Sequence, residues 1–211
     1  MTEEITIAIP NKGRLKEPIV KLLEAAGIRR AGDDRVYLST TNDASIKLLS
    51  VRAADIPVYV YHGIADVGIT GRDIIAETSL DLYELADLGF GACSLVVAVE
   101  KGKQYSDAAE IRPGSKIATE FPNITKKFFN GIGVQVEIIA LRGAMEIAPR
   151  LGLAEAIVDL ASTGATLEKN GLKQVGEILR SSARLICNKV SYKTKYEAVE
   201  SIVRRLKEAN A

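Results

Sequence analysis

Apolar runs alternate with amphipathic stretches along the first part of the chain. Ile5 to Ile9 has the composition of a buried strand, and Leu15 to Ala26 places apolar residues at helical spacing before a glycine that ends the helix. Ile46 to Val51 and Val67 to Ile69 predict two further strands, and a helical pattern follows each of them. Strands that alternate with helices in this way are typical of an α/β architecture.

The same alternation restarts after a long apolar run, Cys93 to Val99. The elements predicted there are a strand at Lys116 to Thr119, a helix from about Asn123, a strand at Val134 to Ile139, a helix around Met145 and a strand at Ala156 to Leu160. A second apolar run, Ala183 to Cys187, comes before a last amphipathic helix at Lys195 to Ala209.

We interpret the two apolar runs as a pair of strands that marks two crossings of the chain between lobes. The first lobe would then contain residues 1–93 and 180–211, and the second lobe residues 94–179. The pattern therefore predicts a two-lobed α/β protein with helices on both faces of its sheets.

Composition and charge restrict the classes of partner. A chain of 211 residues can bury about 70% of its unfolded surface, in one domain or two. Its 28 Lys and Arg residues almost balance its 27 Asp and Glu residues, so net charge favours neither nucleic acid nor an anionic membrane as partner. The acidic amino-terminal segment lacks the pattern of a secretion signal, and no apolar run reaches the ~18 residues of a membrane span. We expect a cytoplasmic protein with two reduced cysteines.

Three predicted junctions between a strand and a helix carry cations. Lys12 and Arg14 flank Gly13 at the first junction, Arg52 lies at the second and Arg72 at the third. Cations at the start of a helix oppose the helix dipole unless an anion binds there. Because ligands of open α/β sheets bind beyond the carboxyl ends of the strands, the three junctions together predict an anion-binding cleft.

Each junction also has a purely structural interpretation. Lys12 and Arg14 can extend into water, and Arg52 can form a surface salt bridge with Asp55. Asp73 can simply cap the helix that it begins. Both interpretations stay open at this point.

A hydroxyl-rich loop follows the predicted strand that carries Asp159. Its residues are Ser162, Thr163, Gly164, Ala165 and Thr166. The backbone N–H groups and three hydroxyls of such a loop can hold a phosphate group, although a capped turn would use the same residues. The glycine patterns of a Walker A loop and of a dinucleotide-binding loop do not occur in the sequence.

The sequence does not indicate a zinc site or a catalytic triad. Its only histidine, His62, lies at a predicted helix end, and its two cysteines are far apart. We therefore predict no metal ligands on the protein and no nucleophilic catalysis by its side chains.

Three segments, IAIPNKGRL, DVGITGRDII and EIAPRLGLAEAIVDLASTGATLEKNGL, resemble the ATP phosphoribosyltransferase family in its short form. The resemblance extends from about Ile5 to Val203. It implies a two-lobed fold with mixed sheets, similar to type II periplasmic binding proteins. It also implies an enzyme that transfers phosphoribosyl from phosphoribosyl pyrophosphate to N1 of the adenine of ATP, with magnesium present. Pyrophosphate is released, and the reaction opens histidine biosynthesis.

The resemblance also implies roles for the candidate residues. Asp159 and the hydroxyl-rich loop would hold the ribose and its 5-phosphate, and the cationic junctions would serve the pyrophosphate and the nucleotide. The catalytic candidates are Arg14, Arg52, Arg72 and Asp159, and the substrate-binding candidates are Lys12, Gly13 and Asp73 together with the loop. Glu146 is a weaker candidate, more simply interpreted as a solvated helix residue.

Short forms of the family work with a regulatory subunit similar to histidyl-tRNA synthetase, whereas long forms carry a C-terminal domain that binds histidine. The chain ends soon after its last predicted helix. We therefore expect a catalytic homodimer within a hetero-oligomer that includes such a subunit, and weak direct inhibition by histidine.

Two other classes of protein remain as alternatives. One is a two-lobed module that binds a small anion or another solute without catalysis, which the lack of a secretion signal disfavours. The other is the effector domain of a transcription regulator. Because the first strand begins at about residue 5, we expect no DNA-binding region before it.

Overall fold

The structure, a computed structural model, describes residues 3–33 and 36–210. The chain forms two compact units, one of Met1–Gly91 with Ser182–Ala211 and the other of Ala92–Ser181. Each unit is built around its own sheet, with helices packed against it. The predicted α/β class is confirmed.

The elements of the described residues are as follows. The strands are β1 Ile5–Pro10, β2 Leu38–Thr40, β3 Ile46–Val51, β4 Val67–Gly71, β5 Tyr83–Asp87, β6 Cys93–Glu100, β7 Lys116–Thr119, β8 Glu137–Ala140, β9 Ala156–Ala161, β10 Leu172–Ser181 and β11 Ala183–Cys187. The α-helices are α1 Lys16–Ala25, α2 Ile56–Tyr61, α3 Arg72–Thr78, α4 Pro122–Gly131, α5 Ala165–Lys169, α6 Lys189–Thr194 and α7 Tyr196–Ala209.

The first unit has a six-stranded sheet in the order β2-β3-β1-β4-β11-β5. Alternate residues of β1 face opposite sides of this sheet: Ile7 packs with α1 and α7, whereas Ala8 packs with α2. Gly68 in β4 lets α2 approach closely, because a Cβ there would lie 2.6 Å from Cγ2 of Ile56. Helices therefore cover both faces, as predicted.

Three neighbouring strands of this sheet run in parallel. β1 lies between β3 and β4 and pairs in parallel with both. The carboxyl ends of these three strands therefore lie side by side at one edge of the sheet. We call this edge, with the residues that follow each strand there, the carboxyl edge.

A buried carboxylate ties the last helices to β1. Asp66 Oδ2 accepts a hydrogen bond from the Thr6 amide at 2.9 Å. Its Oδ1 accepts one from the Ser191 hydroxyl at 2.7 Å and lies 2.9 Å from Lys195 Nζ. The carboxyl-terminal part of the chain is thus fixed to the first strand.

The second unit has a five-stranded sheet in the order β10-β6-β9-β7-β8. β9 pairs antiparallel with β6 and parallel with β7. Leu167 of α5 packs in one cluster with Val96 of β6 and Ile157 of β9, and α4 buries Phe129. The hydroxyl-rich loop connects β9 to α5.

The apolar runs Cys93 to Val99 and Ala183 to Cys187 adjoin the two points at which the chain passes from one unit to the other. The first run forms β6, which pairs with β10 and β9, and the second forms β11, which pairs with β4 and β5. Cys93 is paired with Ser181. Residues 93 and 180–181, which we placed in the first lobe, therefore lie in the second unit.

Sequence reasoning missed β10 because this edge strand is irregular. Its register against β6 shifts between Gln174 and Gly176. A shift of this kind breaks the two-residue alternation by which a half-buried strand is recognised.

Other differences lie at element ends. The helix predicted around Met145 is a single 3-10 turn at Met145–Ile147, and the strand predicted at Val134 to Ile139 is confined to β8. A separate helix, α6, precedes α7. Asn188 caps α6 by accepting hydrogen bonds from the amides of Val190 and Ser191.

Candidate active site

The carboxyl edge of the first sheet brings the three cationic junctions together. Arg52 follows β3, the segment from Lys12 to Arg14 follows β1, and Arg72 begins α3 directly after β4. Because β3, β1 and β4 are adjacent and parallel, these cations line one edge of one sheet.

Arg14 is held by two groups of its own unit. Its Nη2 lies 3.5 Å from Asp73 Oδ1, and its Nη1 donates to the carbonyl oxygen of Gly91. The Asp73 side chain is 3% exposed, whereas the Arg14 side chain is 38% exposed. Gly71 occupies the N-cap position of α3, and Asp73 lies in the first turn of that helix.

Arg52 and Lys12 are cations without an ion-pair partner in the described part of the chain. The salt bridge between Arg52 and Asp55 does not occur in the described residues, where only the Asp55 amide donates to the Arg52 carbonyl, at 2.9 Å. Arg52 and Lys12 are both exposed, and neither forms an ion pair within residues 3–33 and 36–210. Gly13, between the two junction cations, has φ of +92° and no atom within 4 Å of where a Cβ would stand.

Arg72 is exposed and has an acidic neighbour. It contributes to holding the pKa of Asp87 below its usual value, after the Ser182 hydroxyl, the Gly89 amide and Arg184. Its own amide donates to the Ser182 carbonyl at 3.1 Å.

Asn11 is a residue of this edge that sequence reasoning missed. Its Oδ1 is buried and accepts no hydrogen bond from the described part of the chain. A buried acceptor without a donor is costly, so this atom fits a ligand that donates a hydrogen bond. No pattern in the sequence distinguishes Asn11 from an ordinary turn residue.

Asp159 is the central carboxylate of the second unit. Burial raises its pKa from 3.8 to about 6; the hydrogen bond from the Leu160 amide lowers it, and the charges of Glu146 and Glu120 raise it further. Glu146, in the 3-10 turn, is therefore near enough for its charge to act on Asp159, which the sequence pattern did not reveal.

The hydroxyl-rich loop is exposed and open. Gly164 has φ of +74°, which turns the chain into α5, and the Ala165 amide donates weakly to the Thr163 hydroxyl at 3.4 Å. The hydroxyls of Ser162 and Thr166 make no hydrogen bond to the described residues. The capped-turn interpretation therefore accounts for one of the three hydroxyls.

The histidine and the two cysteines are not among the candidate site residues. His62 follows α2 and makes an edge-to-face contact with Tyr61 at 5.3 Å between ring centroids. Cys93 and Cys187 are buried, and burial with the nearby Asp66 and Glu200 charges raises the pKa of Cys187 to about 12. A thiol of this kind is not a nucleophile at neutral pH.

The described residues contain no group of three or more His, Cys, Asp and Glu side chains that could hold a metal ion. No helix within them combines the length and the apolar composition needed to cross a bilayer.

Comparison with known proteins gives the same family for the sequence and for the fold. The HisG model, described as ATP phosphoribosyltransferase, matches residues 52–208. The ATP phosphoribosyltransferase of Halothermothrix orenii is 43% identical over 211 residues, covering 98% of this chain and 94% of that protein. A solved structure, the ATP phosphoribosyl transferase (HisG:HisZ) complex from Thermotoga maritima, matches with a TM-score of 0.87 and 33% identity, covering 98% of each chain.

A second solved structure is similar in fold alone. The periplasmic aliphatic sulphonate binding protein SsuA from Escherichia coli matches with a TM-score of 0.63 and 13% identity, covering 100% of this chain and 74% of that one. The predicted class, similar to periplasmic binding proteins, is confirmed.

Proposed function

This chain belongs to the ATP phosphoribosyltransferase family. From its structure we propose which residues bind each substrate and which stabilise the transition state. The enzyme joins the phosphoribosyl group of phosphoribosyl pyrophosphate to N1 of the adenine of ATP and releases pyrophosphate, in the first step of histidine biosynthesis. Our proposal concerns the residue roles, the magnesium, the partner and the location.

The carboxyl edge of the first sheet receives the pyrophosphate and the nucleotide phosphates. The observation that carries this proposal is the alignment of Lys12, Arg14, Arg52 and Arg72 at the ends of three adjacent parallel strands. Negative charge develops on pyrophosphate as the bond to the sugar breaks. Fixed cations near this leaving group stabilise the transition state more than the ground state.

Arg52 and Lys12 contact the substrates most directly, because the described structure gives them no carboxylate partner. Arg52 can present its planar fork to two phosphate oxygens, and Lys12 acts as a point charge. Gly13 lets the backbone between Lys12 and Arg14 turn back, and Asn11 Oδ1 accepts a hydrogen bond from a substrate donor.

The loop from Ser162 to Thr166 holds the 5-phosphate of the phosphoribosyl donor. Its free hydroxyls and the amides around Gly164 are available to a phosphate. Asp159 and Glu146 then face the ribose, where carboxylates accept hydrogen bonds from hydroxyl groups and stabilise positive charge on the ring.

Magnesium would be held by the two polyphosphate substrates rather than by side chains of this protein. The described residues offer no cage of three acidic or histidine ligands, which fits an ion held mainly by phosphate oxygens and water. When bound, the ion neutralises phosphate charge and helps to orient the leaving pyrophosphate.

A regulatory subunit completes the assembly. The solved relative from Thermotoga maritima is a HisG:HisZ complex, and this chain matches 98% of the compared chain. We place this chain, as a homodimer, in a cytoplasmic hetero-oligomer with a subunit similar to histidyl-tRNA synthetase. Sedimentation of the chain with such a subunit, compared with each alone, tests this assembly; independent sedimentation would contradict it.

A solute-binding module of the same fold is the second candidate function. The likeness to solute-binding proteins such as SsuA favours it, and that likeness concerns fold alone. Calorimetry distinguishes the two: the enzyme binds phosphoribosyl pyrophosphate with magnesium, whereas a sulphonate-binding module binds alkanesulphonates.

The loop assignment is tested by replacing two hydroxyls. Thr163→Ala combined with Thr166→Ala removes two side-chain donors, so we expect affinity for phosphoribosyl pyrophosphate to fall about 10- to 100-fold, since hydrogen bonds to charged groups are the stronger ones. The matched control is Ser106→Ala, an exposed hydroxyl of the same unit that lies after β6. Unchanged affinity in the double variant would show that the loop is only a capped turn.

A further inference from the structure

We propose that Asp73 is a positioning residue that orients the Arg14 guanidinium, and that it does not itself contact substrate. This inference rests on the proposed role of Arg14 at the carboxyl edge. It replaces the substrate-binding role that the family resemblance implies for Asp73.

The Asp73 carboxylate is too buried to bind a phosphorylated substrate. The residue is 2% exposed, and its side chain is 3% exposed. A carboxylate also repels pyrophosphate and nucleotide phosphates.

Gly71 creates the space in which this carboxylate lies. A Cβ at Gly71 would stand 2.1 Å from Asp73 Oδ1, so any other residue would displace the carboxylate. Oδ1 is the oxygen that faces Arg14 Nη2, at 3.5 Å. Gly71 therefore leaves room for the carboxylate that contacts the guanidinium, although Arg14 and Asp73 are 59 residues apart in the sequence.

The carbonyl group of a second glycine, Gly91, holds the other terminal nitrogen of the guanidinium. Gly91 has φ of +64°, and its carbonyl accepts a hydrogen bond from Arg14 Nη1. A Cβ at Gly91 would lie 2.3 Å from Leu15 Cδ2, so only a glycine lets the backbone at this position approach Leu15 so closely.

These two contacts leave part of the guanidinium for an anion. A guanidinium has five N–H donors in a rigid plane, and the contacts to Asp73 and Gly91 engage its two terminal nitrogens. With its plane fixed, Arg14 keeps its other N–H donors, on Nε and on the two terminal nitrogens, for an anion. Fixed donors need no reorganisation as charge develops on the leaving group.

A double-mutant cycle on turnover tests this coupling. The variants are Asp73→Asn, Arg14→Gln and the two combined, assayed for pyrophosphate release from ATP and phosphoribosyl pyrophosphate with the regulatory subunit present. We expect Asp73→Asn alone to lower kcat about tenfold with little change in KM, and to have less than about a twofold effect in the Arg14→Gln background.

Two other roles for Asp73 predict different results. A carboxylate that binds substrate directly would cost the same factor in both backgrounds and would raise KM. A merely structural carboxylate would lower Tm and would also act equally in both backgrounds. Either result overturns the positioning role. Asp81→Asn, which removes an exposed carboxylate of the same unit, is the matched control and leaves kcat unchanged.

If Asp73→Asn does not fold, Arg14→Lys tests the positioning role instead. A lysine retains the charge and cannot donate to Gly91 and Asp73 in the same planar geometry. We expect it to lose kcat nearly as much as Arg14→Gln; a wild-type kcat would overturn the positioning role. Wild-type kcat in Arg14→Gln would instead refute the proposed function of Arg14, so the two failures are distinguishable.

Discussion

The Leu160 amide donates a hydrogen bond to Asp159 Oδ1 across 2.7 Å, from the next residue of the same strand. This bond stabilises the ionised carboxylate, yet it does not offset burial, which raises the pKa of Asp159 to about 6. The carboxylate is thus ionised at neutral pH and becomes protonated in mild acid.

The pH dependence of turnover follows from this pKa. We expect kcat/KM for phosphoribosyl pyrophosphate to fall as pH drops below about 6, because a protonated Asp159 no longer stabilises positive charge on the ribose. Glu146→Gln removes a charge that raises the pKa of Asp159, so its profile shifts to lower pH. Glu168→Gln, an exposed change on α5, is the control. Identical profiles for Glu146→Gln and wild type would contradict the assignment.

Stability has the opposite dependence on pH. The folded protein holds the Asp159 proton more tightly than the unfolded chain, whose pKa is near 3.8. The corresponding stability is therefore complete below about pH 4 and is lost as pH rises through about 6. An asparagine cannot ionise, so Asp159→Asn avoids the stability that the wild type loses when this carboxyl ionises. We expect the variant to have a higher free energy of unfolding, by at most about 3 kcal/mol at pH 8 and by little at pH 4. Denaturant unfolding at several pH values measures this; equal effects at both pH values would contradict it.

The Asp66 network predicts a large loss of stability. Asp66→Ala leaves the Thr6 amide, the Ser191 hydroxyl and the Lys195 ammonium without their common acceptor. Breaking a buried ion pair from one side costs about 3 kcal/mol in the free energy of unfolding.

The matched control for Asp66 is Asp81→Ala. It removes an exposed ion pair with Lys189, which water screens, so we expect a much smaller loss than in Asp66→Ala. Chemical denaturation of both variants gives the comparison. Similar losses in the two would mean that the Asp66 contacts do not anchor α6 and α7.

Regular, buried elements could be predicted from the sequence. The strands Ile46–Val51, Lys116–Thr119 and Ala183–Cys187 have the predicted bounds. The edge strands β2, β5 and β10 were not predicted. β5 has no buried residue, so apolar and polar residues do not alternate along it as they do along a half-buried strand. β10 has a shifted register against its neighbour.

The candidate site was predictable only where it follows local patterns. Cations after strands can be found from sequence, because strand ends are local features and parallel strands share an edge. The contact between Arg14 and Asp73 spans 59 residues, and the raised pKa of Asp159 depends on burial and on charges elsewhere in the unit. Properties that arise from tertiary packing leave no periodic pattern in the sequence.

The most direct test of the account is the kcat for pyrophosphate release by Arg52→Ala, with ATP, phosphoribosyl pyrophosphate, magnesium and the regulatory subunit present. Arg52 has no ion-pair partner within residues 3–33 and 36–210, so its removal should leave Tm unchanged. We predict that kcat falls about 100-fold, as expected when a cation facing the leaving group is lost. A wild-type kcat in this variant, or a loss matched by a lower Tm, would contradict the claim that the carboxyl edge stabilises the departing pyrophosphate.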